Sequence, residues 1–314
     1  MMRYNNLKQR PKHFLAFTGL TVAEFDNLVK DNHQDWQEQR IQRLLKDNPQ
    51  GLRKRKIGGG RKFALTTFED QLLLTLILAK HYCSCLLLEY LFDIDTSTVC
   101  RTSQVIMALI KKGDKYIIDL GPRPDKKTTT LEELKNLIPD FDEILADCAE
   151  QKIPRPGKKA KRNKYHSGKK KAFTLKTQIS TNRQGLLVHI DRPVPGRHHD
   201  YKVFKKSDLP KIIPKDVKVF ADSGYQGIHK DYPDLNSVIP HKRSRNGQPL
   251  THSQKIQNKK QRRIRIVIER TIAQLKKFQI LHQTYRNSLQ NYETAFGFVA
   301  NIVNFRMLCR LNTA

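Results

Sequence analysis

The stretches FDEILAD at residues 141–147 and VKVFAD at residues 217–222 decide the fold of this chain. In both, apolar residues lead into an aspartate, Asp147 in the first and Asp222 in the second. Such patterns predict strands, and α/β sheets place their ligand-binding residues at the carboxyl ends of strands. We therefore predict an α/β domain in which both aspartates end buried strands.

The residues around these two stretches extend the same pattern. FTLKTQIS at 173–180 and GLLVHID at 185–191 predict further strands, and a helical stretch covers residues 200–206. A long helix is predicted from about Ser253 to Gln283, because Ile264, Ile268, Ile272 and Leu275 follow helical spacing. Strands followed by a closing helix indicate one α/β layer, which we assign to residues 135–314.

The first 62 residues are predicted to form a helical segment and a linker. Thr21 and Glu24 have the spacing of a capping box before an apolar helical pattern, and a second helical stretch spans Trp36 to Leu45. Residues 51–62, GLRKRKIGGGRK, combine three successive glycines with six basic residues and predict a flexible basic linker. This linker fits either a solvated loop or an arm that follows a DNA strand.

Residues 63–125 are predicted to form an all-α helix-turn-helix domain. A short apolar helix, Leu86 to Phe92, precedes a helix that Thr96 or Ser97 can cap. In a helix-turn-helix the N-terminal side chains of the second helix face base edges, which here are Thr96, Thr98 and Arg101. The buried side of that helix would contain Val99, Val105, Ile106, Leu109 and Ile110. A small three-helix unit without DNA-binding function has the same pattern, and residues 121–130, GPRPDKKTTT, end the domain.

The net charge points to a polyanionic partner. Lys and Arg number 59 against 30 Asp and Glu, a net charge of +29, and residues 141–314 hold 36 of the basic and 13 of the acidic residues. Such a field attracts nucleic acid, although a ribosomal or histone-like protein would share it. The loop 158–171 holds eight basic residues, including Lys169, Lys170 and Lys171, which we expect to contact phosphates.

No segment suggests a membrane protein. The longest apolar run, Leu72 to Ala79, is far shorter than the roughly 20 residues that span a bilayer. We expect a cytoplasmic, nucleoid-associated protein with no membrane partner.

A third carboxylate, Glu269, lies in the basic stretch RRIRIVIER of the long helix. At about 100° per residue, Arg262, Arg265, Glu269 and Lys276 fall on one stripe. Carboxylates suit Mg²⁺ or Mn²⁺, and two such ions can act together in phosphodiester displacement. Asp147 and Asp222 could equally be strand-end or turn carboxylates, and Glu269 could be an ion-pair partner of Arg265 or Arg270.

Nearly the whole chain resembles the DDE transposases of bacterial insertion sequences, in particular the helix-turn-helix-bearing branch of the insertion sequence five family. The N-terminal blocks that carry the resemblance are TVAEFDNLV (21–29), GGGRKFALTTFEDQLLLTL (58–76) and DIDTSTVCR (93–101). The blocks around the first two aspartates are YHSGKKKAFTLKTQ (165–178), PGRHHDYKVF (195–204) and FADSGYQG (220–227). In the third block Arg265, Glu269 and Lys276 match in register, whereas Arg262 replaces the family's tyrosine.

The resemblance implies a ribonuclease-H-like catalytic domain, with a mixed sheet and flanking helices, in which Asp147, Asp222 and Glu269 bind the metal. His199 and Asp200 match a recurrent block, as positioning residues or as a plain helix start. The implied activity is metal-dependent hydrolysis at the transposon end followed by strand transfer into target DNA. The implied partners are double-stranded DNA, at the terminal inverted repeats and the target, and further copies of the chain as a homo-oligomer on DNA. A DNA-binding repressor or a domesticated element that no longer transposes is the alternative.

Overall fold

The computed structural model describes residues 1–46, 63–112, 116–117, 141–243 and 247–311. The predicted linker at 51–62 and the segment 121–130 lie outside these ranges. The chain forms two compact units. The first comprises Met1–Tyr116, Phe278–Ile280 and Thr294–Ala314, and the second comprises Ile117–Lys277 and Leu281–Glu293.

The described secondary structure of the first unit is helical. Its helices are α1 (Tyr4–Leu7), α2 (Pro11–Thr18), α3 (Val22–Lys46), α4 (Phe68–His81), α5 (Cys85–Phe92), α6 (Thr96–Lys112) and α13 (Tyr292–Leu311, from Thr294 onward). The predicted capping box begins α3, because Thr21 N donates to Glu24 Oε2 at 2.7 Å and Glu24 N donates to Thr21 Oγ1 at 3.1 Å. The two helical stretches predicted for this segment are one continuous helix.

Helices α5 and α6 are joined by a turn of three residues. Asp93 adopts the left-handed conformation, with φ of 53°, and ends α5. The start of α6 is capped by Asp95, whose carboxylate accepts from Thr98 N at 2.9 Å, and not by Thr96 or Ser97 as predicted. The predicted buried side is correct except that Val105 is half-buried.

The last helix belongs to a different unit from the one predicted. We placed residues 292–311 in the α/β domain, but most of α13 clusters with the N-terminal helices. Phe298, Val299 and Ile302 are fully buried, and Asn304 Nδ2 donates to Tyr116 O at 2.8 Å. A helix that is apolar around most of its surface becomes a central core helix, which explains this placement.

The second unit has the predicted mixed α/β architecture. Its strands are β1 (Glu143–Lys152), β2 (His166–Ser167), β3 (Ala172–Thr181), β4 (Leu187–Ile190), β5 (Val194–Pro195), β6 (Lys218–Phe220) and β7 (Ser237–Val238). Its helices are α7 (Lys159–Tyr165), α8 (Asp200–Lys206), α9 (Leu209–Ile212), α10 (Ile228–Asp231), α11 (His252–Lys276) and, with only its last two residues in this unit, α12 (Gln279–His282). The long helix predicted to reach Gln283 therefore ends at Lys276.

The described strands form one mixed sheet in the order β2-β3-β1-β6-β7, with β4 and β5 also paired to β3. β1 pairs antiparallel with β3 along its length and parallel with β6 only from Glu143 to Leu145. β1 then continues past the end of β6. This open edge of β1 is the place where the functional side chains gather.

Side chains alternate between the two faces of the sheet. Ile144 and Ala146 of β1 and Val219 of β6 belong to a core cluster with Phe204, Leu209 and Ile228 from helices α8, α9 and α10. Helix α11 packs on β1 and β3, with Ile268, Thr271 and Leu275 as its buried residues. The sheet is thus flanked by helices. In the described part of the chain, no helix is long and apolar enough to cross a membrane.

Candidate active site

Asp147 and Asp222 are brought together by the parallel pairing of β1 and β6. Leu145 is the register partner of Phe220, so the aspartates stand two residues beyond matched positions. By alternation they face away from Ile144 and Val219 and their core cluster. Asp222 follows its strand as predicted, whereas Asp147 lies in the middle of β1, at the point where the parallel pairing stops.

Helix α11 supplies the residues opposite the aspartates. Its start is fixed by a capping box, in which Thr251 N donates to Gln254 Oε1 at 3.0 Å and Gln254 N donates to Thr251 Oγ1 at 3.3 Å. Because Ile268, Thr271 and Leu275 are buried, the stripe with Arg265, Glu269 and Lys276 is directed toward the edge of β1.

These side chains line one polar cleft of about 260 Å³. The lining residues are Asp147, Cys148, Glu150, Lys169, Lys170, Asp200, Asp222, Arg265, Glu269 and Lys276. All of them belong to the second unit. The cleft therefore contains the three predicted carboxylates together with cations that match a polyanionic substrate.

Arg265 lies between the two aspartates. Its Nη1 donates to Asp222 Oδ1 at 3.1 Å, and its Nη2 is 4.0 Å from Asp147 Oδ2. Within the described residues no three His, Cys, Asp or Glu side chains form a group that could hold a metal ion. The expected convergence of Asp147, Asp222 and Glu269 to metal-bridging distance is therefore wrong for this arrangement, although all three line the cleft. Between Asp147 and Asp222, the Arg265 guanidinium occupies the position that a shared cation would take.

Glu269 is the exposed member of the three carboxylates. Across the part of the chain that the structure describes, Glu269 forms no ion pair with Arg265 or Arg270. The salt-bridge reading of Glu269 is thus not what the structure shows.

Asp147 is electrostatically unusual. Burial raises its pKa to about 6, while the backbone N–H of Cys148 and the Arg265 guanidinium act in the opposite direction. Asp222 and Asp200 raise the pKa further by charge repulsion. A buried carboxylate that nearby cations do not fully compensate is typical of functional sites.

Asp200 lines the cleft, but His199 does not. Asp200 Oδ1 accepts from the buried Lys176 Nζ at 2.8 Å, and the same ammonium donates to His198 O at 2.8 Å. His199 is exposed and occupies the N-cap position of α8. The structure therefore separates two neighbouring residues that the sequence grouped together.

The predicted basic residues divide in the same way. Lys169, Lys170 and Lys276 line the cleft, whereas Lys171 does not. Burial, together with the Lys170 charge, lowers the pKa of Lys276. The segment predicted as a basic loop contains the helix α7 and the short strand β2. Arg262, at the tyrosine position of the resemblance, is exposed and lies outside the cleft lining.

Sequence reasoning missed Glu150, Cys148 and Lys176. Glu150 lines the cleft and accepts from Thr174 Oγ1 at 2.6 Å, and Cys148 Sγ lies 3.3 Å from Gln178 Oε1. The sequence signal was available for Lys176, because a lysine inside the apolar strand pattern FTLKTQIS needs a buried anionic partner. No comparable signal marks Glu150, because it reaches the cleft only where β1 continues beyond the end of β6.

The predicted base-reading residues belong to the first unit. Thr98 Oγ1 donates to Asp95 Oδ2 at 2.6 Å, and Arg101 Nη2 donates to Ser97 Oγ at 3.1 Å. Arg101 is exposed, and Thr96 and Thr98 are half-buried. These side chains therefore form a small polar surface at the start of α6.

Comparisons with known proteins identify the family of this chain. A family model described as a DDE superfamily endonuclease matches residues 146–304. The chain is 31% identical over 254 residues to a protein of Microchaete diplosiphon named "Probable transposase for insertion sequence element IS702", a match that covers 81% of this chain and 86% of the relative. No solved structure matches the chain significantly.

Proposed function

The chain belongs to the DDE superfamily of endonucleases and is a DNA transposase of an insertion sequence, and we propose that the cleft between β1, β6 and α11 carries out its DNA cutting and joining. In this proposal the enzyme binds the terminal inverted repeats of its element, hydrolyses a phosphodiester bond to free a 3′ hydroxyl, and joins that hydroxyl to target DNA. The sheet and its helices would then be a ribonuclease-H-like domain.

One observation carries the proposal. Asp147 and Asp222 stand two residues beyond register partners on adjacent parallel strands, and Glu269 lines the same cleft from α11. Each aspartate also accepts a hydrogen bond from the next backbone N–H, Cys148 N at 2.8 Å and Ser223 N at 2.7 Å. Such local bonds do not by themselves require the two carboxylates to stand at matched positions of paired strands. The arrangement instead supports a shared task for the three side chains.

The family depends on a divalent metal ion, and the cleft contains the type of donor that such an ion binds, although the carboxylates are not grouped as a metal site in this arrangement. Asp147, Asp222 and Glu269 offer carboxylate oxygens, which are hard ligands suited to Mg²⁺ or Mn²⁺, and the raised pKa of Asp147 indicates a local need for positive charge. We propose that these three residues hold the metal, with two ions as the full complement. Bound there, the metal would activate the attacking oxygen and stabilise the leaving oxygen at phosphorus.

The cations of the cleft are assigned to the DNA backbone. Lys169, Lys170 and Lys276 surround the carboxylates, so a phosphate brought to the metal ligands would meet ammonium groups on its other side. Arg265 lies in the same cleft, and we assign Lys171, just before β3, and Arg262 of α11 to the same basic surface outside the cleft lining. Ammonium and guanidinium groups bind phosphate through charge-assisted hydrogen bonds.

Asp200 is proposed as a positioning residue for this site. Its carboxylate is held by Lys176 and adds negative charge near Asp147. His199, as the N-cap residue of α8, has a structural role in this proposal.

Helices α5 and α6 are proposed as the helix-turn-helix that recognises the element ends. The side chains at the start of α6, Thr96, Thr98 and Arg101, would face base edges. A transposase must also hold two DNA ends together, so we expect a homo-oligomer on DNA.

The test is strand cleavage of an element-end duplex with Mg²⁺ or Mn²⁺. We expect Asp147→Asn and Asp222→Asn each to abolish cleavage while DNA binding is retained, and excess chelator to stop the wild-type reaction. Asp216→Asn, which changes an aspartate outside the cleft, is the matched control and should cut like the wild type. A protein that shifts the duplex but never cuts it would support the repressor or domesticated-element alternative.

A further inference from the structure

The position of Arg265 leads to an inference that rests on the proposed function and deepens it. We propose that the Arg265 guanidinium is the counterion of Asp147 and Asp222 while no metal is bound. When a metal ion binds the two carboxylates, the guanidinium is displaced from them.

The geometry carries the first step. A single planar cation reaches both carboxylates, with Nη1 at 3.1 Å from Asp222 Oδ1 and Nη2 at 4.0 Å from Asp147 Oδ2. The side chain of Arg265 is only 11% exposed, so water does little to shield its charge. Arg265 therefore neutralises the same pair of oxygens that a metal ion would bind.

The hydrogen bonding of the Arg265 guanidinium is incomplete. Its contact with Asp147 is at the limit of an ion pair, and among the described residues its buried Nε has no hydrogen-bond partner. A guanidinium that serves as a permanent clamp on carboxylates binds through two parallel N–H donors and leaves no buried donor unmet. The Arg265 contact is thus suited to exchange.

The two cations are mutually exclusive. Mg²⁺ and Mn²⁺ bind carboxylate oxygens at short distance, and a guanidinium between the same oxygens blocks this approach by volume and by charge. Once displaced, Arg265 remains in a cleft with Lys170 and Lys276 and can join them on a DNA phosphate. Metal loading and phosphate binding are then coupled through a single side chain.

Binding of Mn²⁺ to the full-length protein without DNA tests the exchange, with calorimetry or electron paramagnetic resonance as the readout. We expect Arg265→Gln to bind Mn²⁺ at least about tenfold more tightly than the wild type, because the competing cation is gone. Lys276→Gln is the matched control, since it removes the same charge from the same cleft without an ion pair to either aspartate. An equal gain in both variants would mean a general field effect and would overturn the exchange.

Two further measurements tie the effect to the site. Adding Asp147→Asn to Arg265→Gln should abolish the gained affinity, and a gain that persists places the ion elsewhere and overturns the inference. In the wild type, the side-chain Nε–H signal of Arg265, assigned by its loss in Arg265→Gln, should shift on saturation with Mg²⁺. An unshifted signal at saturation contradicts displacement.

The outcomes separate this inference from the proposed function. A wild type that cuts DNA, with no gain of Mn²⁺ affinity in Arg265→Gln, leaves the nuclease function intact and removes the exchange. A gain that depends on Asp147, in a protein that never cuts DNA, keeps the exchange and removes the function.

Discussion

Two aspartates, one in each unit, have carboxyl pKa values shifted in opposite directions. Asp95 in the helical unit is exposed, and hydrogen bonds from Ser97 and Thr98 hold the pKa of its carboxyl well below the ordinary range. Asp147 in the α/β unit is mostly buried, and burial raises its pKa to about 6 despite Arg265. The carboxylate that caps a helix is satisfied by its neighbours, whereas the carboxylate that we propose as a metal ligand is buried without full compensation by a cation.

The largest expected effect tests whether Glu269 belongs with Asp147 in this comparison. Glu269→Gln keeps the size and removes the charge, so we expect cleavage to fall by more than about 100-fold, beyond the loss typical of a supporting residue near a metal. Thermal stability should change by no more than about 1 kcal/mol, because Glu269 is exposed. Asp234→Asn is the control, because the Asp234 side chain is 79% exposed, and we expect it to cleave at the wild-type rate. A Glu269→Gln protein that cuts at a near wild-type rate would remove Glu269 from the triad.

The next prediction concerns the stability that the protein loses by burying the charge of Asp147. Since the folded pKa of Asp147 lies above its unfolded value of about 3.9, stability is lost as the pH rises through about 6. In chelator at pH 8, Asp147→Asn should therefore be more stable by about 2 to 3 kcal/mol, given about 1.4 kcal/mol per pKa unit. The gain should vanish near pH 4. Thermal or urea unfolding at both pH values checks this, and a less stable variant at pH 8 contradicts it.

The third prediction extends the comparison to DNA recognition by the helical unit. Arg101→Ala should reduce the preference for the element end over random duplex by about 1 to 3 kcal/mol, the range for loss of one good base contact. Competition binding at fixed salt measures this preference. Arg40→Ala, a change of another basic residue in the same unit, should leave the preference unchanged.

The basic surface of the α/β unit should behave differently from Arg101. Changing Lys169, Lys170 and Lys171 to Gln should weaken binding to all sequences equally and flatten the salt dependence by about 0.9 per lost phosphate contact. Exposed lysines elsewhere in the unit, Lys211 and Lys215, provide the control. An unchanged salt slope would assign the three lysines to solvent.

The smallest effect concerns the satisfied aspartate. Asp95→Ala should lower the melting temperature at neutral pH, because the start of α6 loses its cap. A depressed folded pKa contributes stability above the unfolded pKa and loses it as the pH falls, so the difference from wild type should shrink in acid. Equal melting temperatures at neutral pH would show that the cap is dispensable.

Local signals in the sequence were sufficient for much of the fold. The capping box of Thr21 and Glu24 and the helix 200–206 depend on short spacing and were predicted correctly. The strand pattern of residues 173–180 lies within β3. Elements were misjudged where tertiary contacts decide their limits. Two helical stretches merged into α3, and Asp147 lies within β1 because pairing with β3 continues after β6 ends.

The candidate site was predictable in its members but not in its arrangement. A carboxylate after an apolar strand is visible in the sequence, and helical spacing puts Arg265 and Glu269 on one stripe. The position of Arg265 between two aspartates depends on how α11 sits on the sheet, which no local pattern encodes. The same holds for Glu150 of β1 and Asp200 at the start of α8, which line the cleft only through tertiary packing.

The order of the segments along the chain also determines when, during synthesis, the proposed active site can assemble. The paired positions Leu145 and Phe220 are 75 residues apart, and such distant pairing is slow compared with local helix formation. At roughly 5 to 20 residues per second of synthesis, a growing chain presents α4 to α6 well before α11, and α13 completes the helical unit last. A ribosome-bound chain that lacks α11 contains both aspartates but not Glu269. In the proposed mechanism, cleavage therefore becomes possible only after α11 has been synthesised.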